Sequence, residues 1–154
     1  MFSDRLQRVG HSRDESGYSL IELLVVILII GVLATIAIPS FLNQKNKAVG
    51  AQAKEVAAMA RTAAETIATD NGGSYTKVKP SELNKVEPTL RIASSTTDAY
   101  LSSATGTATE YTVTATATNG DELTISRSTA GAITRTCVSP INKKGCNGGE
   151  NSSW

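Results

Sequence analysis

Histidine, aromatic residues, cysteine and net charge are all scarce in this sequence, and each scarcity removes a class of function. The only histidine is His11, and there is no H-E-x-x-H pattern, glycine-rich phosphate loop or spaced Cys/His cluster, so neither an enzyme nor a bound cofactor is expected. Lys and Arg total 15 against 14 Asp and Glu, and they are scattered, so no basic field of the kind that dominates nucleic-acid binding exists. Aromatics are 5% of the chain, and only Phe41 follows Tyr18 on the first long helical stretch, which argues against conduction along stacked rings. Cys137 and Cys146 are too few for a zinc site; beside an export or membrane segment they read as a disulfide in an oxidising compartment. Asp98, Glu110, Asp121 and Glu122 lack the spacing of a dedicated calcium loop, and Asp121 with Glu122 reads as a solvated pair beside a turn.

Charge is also missing from one long stretch. After Glu22 no charged residue occurs until Lys45, and residues 18–38 would form a helix of about 31 Å, enough to cross a hydrocarbon core of about 30 Å. A cleaved secretory signal is the alternative, since Thr35, Ile36 and Ala37 form a small-x-small site. Against it stand Glu22 inside the run, the length of the run and its continuation as an amphipathic helix. Orientation is not set by flanking charge, because Arg5, Arg8 and Arg13 on one side face Lys45, Lys47 and Lys54 on the other; the cysteines place the C-terminal side outside. A carboxylate near an apolar span costs up to about 2.5–3.5 kcal/mol at mid-membrane, so Glu22 requires a function or a route to the headgroups.

The residues GYSLIE at 17–22, followed by LLVVILIIGVLATIAIPSF, resemble the class III signal of type IV pilins and type II secretion pseudopilins. The resemblance is close over residues 17–48 and architectural beyond them. It implies cleavage after Gly17 by a prepilin peptidase, N-methylation of Tyr18, and a role for Glu22 in pairing with the N-terminal amine of a neighbouring subunit during assembly. Glycine at the cut site adds no side chain where the backbone must extend. Gly31 and Pro39 fall where assembled pilins commonly carry helix-weakening residues. Two positions depart from the family pattern: Tyr18 replaces phenylalanine, and Asp14, Glu15 and Ser16 precede Gly17 in place of Lys or Arg.

Beyond Pro39 the composition turns to Ala, Lys, Gln and Glu, and Val49, Ala53, Val56, Ala60, Ala63 and Ile67 recur at spacings of three and four, which predicts an amphipathic helix to Asp70. Asn71, Gly72 and Gly73 terminate it. Residues 75–100 read as a connection with a short helix over 80–86. The period then becomes two: Tyr111, Val113, Ala115 and Ala117 alternate with threonines, Asn119 and Gly120 make a turn, and further strands run through Leu123 to Arg127 and Ile133 to Cys137. Three antiparallel strands are thus expected, with a threonine-rich face toward water.

The expected fold is α+β, a long N-terminal helix packed on a small antiparallel sheet. Its organisation is a leader at 1–17, a membrane and filament-core helix at 18–39, and an amphipathic continuation with a globular head at 40–154. The resemblance implies a pilus subunit held in the cytoplasmic membrane and then polymerised into a helical surface homo-oligomer by an assembly platform and its ATPase. A pseudopilin of a secretion or DNA-uptake apparatus shares every feature through Pro39. A membrane-anchored extracellular binding domain is the alternative of a different class.

Overall fold

The computed structural model describes residues 17–139 together with Cys146 and Trp154; the leader up to Ser16 and the Asn151 to Ser153 stretch, where glycosylation is conceivable from sequence, lie outside the described residues. The chain divides into two compact units at the junction between Ile38 and Pro39. Helix α1, Leu20–Asp70, runs through that junction as one helical element.

In the first unit, the composition leaves helix as the one conformation that pairs every backbone group internally in an apolar medium. The large side chains from Leu20 to Ile38 are all exposed, Leu20 at 80% and Ile36 at 74%. A surface of this kind is unstable in water and suits lipid or neighbouring helices. Gly31 has open space where a Cβ would stand, so packing within the chain does not require glycine there. Pro39 lies inside α1 and removes one i→i−4 hydrogen bond without ending the helix.

In the second unit, the later part of α1 buries Ala53, Val56, Ala57, Ala60, Ala63, Ala64, Ile67 and Ala68, with Val49 packed at the margin. Alanine dominates this face, so the helix backbone lies close to what it packs on. The helix ends in a Schellman arrangement: the Gly73 N–H donates to the Ala68 carbonyl at 2.7 Å, with Gly72 at φ +64°, a conformation that costs a residue with a Cβ about 1 kcal/mol or more. Helix α2, Pro80–Val86, starts on a proline whose missing N–H is no loss in a first turn, and drives Leu83 fully into the core.

The sheet is a four-stranded antiparallel meander, β1 Tyr100–Gly106, β2 Tyr111–Thr116, β3 Glu122–Arg127 and β4 Ile133–Val138, in the order β1-β2-β3-β4. Its inner face carries Leu101 and Ala104 from β1, Tyr111, Val113 and Ala115 from β2, Leu123 and Ile125 from β3, and Cys137 from β4. Strand β1 corrects the three-strand expectation. Its pairing with β2 shifts register between Leu101 and Ser103, so the inward residues Leu101 and Ala104 are three apart and the period-two signal is lost. Gly106 ends β1 where a Cβ would lie 2.0 Å from the Tyr75 carbonyl oxygen, so only glycine fits.

Asp121 is a second correction. It is fully buried at the β2–β3 turn rather than solvated, accepting hydrogen bonds from the Ser139 hydroxyl and, at 2.7 Å, from the Asn119 amide. Its own N–H donates to Asn119 Oδ1 at 3.1 Å, so the turn closes around the carboxylate. Glu122 faces outward and is exposed, as expected.

Candidate functional site

Every residue of the GYSLIE stretch is exposed, and Gly17, Tyr18 and Ser19 precede the first helical residue. Tyr18 is 81% exposed. The Gly17–Tyr18 peptide bond therefore lies in exposed, non-helical backbone.

The boundary has a specific cause. The Leu23 N–H donates to the Ser19 carbonyl at 3.2 Å, making Ser19 the N-cap, and the Ser19 N–H donates to Glu22 Oε2 at 2.9 Å. This is the reciprocal half of a capping box, in which a glutamate three residues into the helix satisfies the N-cap donor. Its negative charge also meets the positive end of the helix dipole. The sequence carried the signal, since Ser19-x-x-Glu22 ahead of an apolar run is the capping-box pattern, and the reading of Glu22 as an assembly residue passed over it. The local answer to Glu22 is thus a cap that occupies one carboxylate oxygen. Glu22 Oε1 has no partner among the described residues.

Gly31 and Pro39, eight positions apart on α1, lie in an uninterrupted helical element. Cys137 and Cys146 form a disulfide with Cα atoms 5.5 Å apart, and both are buried. Trp154 adds a second tie to the C-terminal segment: its indole N–H donates to the Thr136 carbonyl at 3.1 Å, and its ring lies 5.4 Å from the Lys54 ammonium and 5.8 Å from the Arg135 guanidinium.

One polar cluster was not anticipated from sequence. Glu65 on α1 accepts from the Tyr75 hydroxyl at 2.6 Å and the Tyr111 hydroxyl at 3.1 Å, and the two rings are 4.9 Å apart. Arg127 stacks over Tyr75 at 5.4 Å. Burial first, then the Glu65 carboxylate, push the Tyr111 phenol up to about 12, against the lowering pull of Arg61; burial and Glu65 likewise raise Tyr75. The cluster ties α1 to β2 and to the loop after α1, and its hydrogen-bonded partners are separated by up to 46 positions, beyond the reach of any local pattern. It is a structural lock between these elements. Among the described residues no set of three His, Cys, Asp or Glu is placed to hold a metal ion.

No curated protein and no solved structure matches the chain. One family description does match, the prokaryotic N-terminal methylation motif, over residues 12–38. The exposed, capped start of an apolar helix thus coincides with a stretch similar to the prokaryotic N-terminal methylation motif, the class III type of signal.

Proposed function

We propose that this chain is the structural subunit of a type IV pilus, made as a prepilin, cut after Gly17 by a prepilin peptidase, methylated on the Tyr18 amine, held in the cytoplasmic membrane and drawn into a helical surface filament. The observation that carries the reading is the coincidence of the methylation motif at 12–38 with an apolar helix whose large side chains are exposed as far as Ile38. Lipid covers that surface in the membrane, and neighbouring helices cover it in a filament, so one segment serves both states. Glu22 then keeps one oxygen on the Ser19 N–H and offers the other to a neighbour's new amine. Gly31 and Pro39 supply the places where α1 loosens as subunits are extracted. The C-terminal disulfide suits a head that lies in an oxidising compartment outside the cytoplasm, which both a surface filament and an envelope pseudopilin satisfy.

The test is intact-mass analysis of filaments sheared from cells. A chain beginning at Tyr18 with one added methyl group is expected. A start at Ile38 identifies an ordinary signal peptide, and retention of Met1 an uncleaved anchor. Processed chain found only in the envelope identifies a pseudopilin.

A further inference from the structure

We propose that a groove beside α1 docks the 41–48 stretch of a second copy of this chain, a contact that rests on the filament reading and supplies it with a head-to-tail order. The groove measures about 450 Å³; α1 forms one wall with Glu55, Ala58 and Met59, and the end of α2 forms the other with Val86 and Glu87. Val86 is 41% exposed, so with Ala58 and Met59 it gives the groove apolar surface open to solvent, and Thr62 and Thr66 complete the lining. One carboxylate stands on each wall. Glu87 is held at its rim by accepting from the Thr89 N–H at 3.3 Å and from the Thr89 hydroxyl, which also approaches Met59 Sδ at 3.9 Å. Glu55 has no hydrogen-bond or ion-pair partner among the described residues.

The complement lies on the same helix. Phe41 is 67% exposed and Ala48 exposed, and Lys45 and Lys47 are exposed and in no ion pair among the described residues. No acidic residue occurs between Glu22 and Glu55, so this stretch is basic throughout. At about 100° per residue, Phe41, Gln44 and Ala48 fall between Lys45 and Lys47 around the axis, giving an uncharged ridge led by Phe41 with a lysine on each flank. That is the pattern a groove with Ala58, Met59 and Val86 between a glutamate on each wall receives.

A chain cannot fill its own groove. Lys47 and Glu55 sit on one continuous helix about 12 Å apart along its axis, so ridge and groove cannot meet within a molecule. Two different, complementary patches on one chain make a heterologous contact, which propagates head to tail into a ring or an open helical polymer rather than a two-fold dimer.

Charge exchange tests it in cells making the full chain. Lys45→Glu with Lys47→Glu, and separately Glu55→Lys with Glu87→Lys, place like charges across the contact and should each lower sheared-filament yield more than about tenfold while processed chain in the membrane is unchanged. All four substitutions together should restore the yield to within about threefold of wild type. Yields unaffected by either double variant overturn the proposal, as does a fourfold variant no better than its parents. A fall in membrane content caused by the lysine variant alone would assign Lys45 and Lys47 to lipid headgroups and also overturn it. Absence of filaments from wild type fails the filament reading itself, and is distinguished by needing no variant.

Discussion

Replacing Glu22 with Gln separates the two roles assigned to that side chain. The structure gives the carboxylate a cap, with Oε2 accepting from the Ser19 N–H at 2.9 Å, and the filament reading gives it a neighbour's amine. Glutamine at the third helical position also serves a capping box, so the helix start survives the change. Loss of the charge next to the helix N-terminus costs about 0.3–1 kcal/mol. Loss of one member of a buried, hydrogen-bonded charge pair costs about 3–5 kcal/mol, because the remaining amine is left uncompensated. That larger figure corresponds to about 150- to 5,000-fold at each subunit contact, so it decides the outcome. Glu22→Gln should insert, be cut and accumulate in the membrane, and filaments should be absent or sharply reduced. Glu22→Ala removes the cap as well, at about 1 kcal/mol, and measures that contribution by comparison. The assay is surface filament yield set against membrane content of processed chain. Normal filaments from Glu22→Gln would refute the pairing and leave Glu22 as a helix cap alone.

Three further outcomes are expected. Closing the ten-residue loop between Cys137 and Cys146 contributes about 2.5–3 kcal/mol in the chain-entropy treatment, so paired serine substitutions should lower the denaturant midpoint by that equivalent, and an unchanged midpoint would remove the staple from the account. Helix α1 is continuous in the subunit, and a filament reconstruction should show it partly melted between Gly31 and Pro39; an unbroken helix there would refute the loosening role. Tyr111 has its folded-state pKa raised to about 12 from 10.0, so the stability it contributes is complete below pH 10 and is lost as pH rises through about 12. A spectrophotometric titration should show a late tyrosinate step that Tyr111→Phe removes, and the same variant should lose about 1–2 kcal/mol at neutral pH by leaving Glu65 Oε1 without that donor.

Local pattern alone determined much of this protein. The processing motif, the apolar span, the alanine stripe from Ala53 to Ile67, the stop at Gly72, the short helix at Pro80 and the β2–β3 turn each depend on neighbours within a few positions. Periodicity, caps and turn chemistry act at that range and leave readable marks. Even the Ser19–Glu22 cap was legible, since it spans three positions. Tertiary structure decided the rest. The bulge in β1 breaks the alternation that would announce a strand, and its inward residues are identified only by the β2 partner beside them. Asp121 reads as a surface residue until Ser139, eighteen positions away, supplies the hydroxyl that allows its burial. Glu65 becomes the centre of a lock because folding brings Tyr75 and Tyr111 to its two oxygens. A buried polar group requires partners with the right geometry, and sequence distance carries no information about which residues the fold will bring to it.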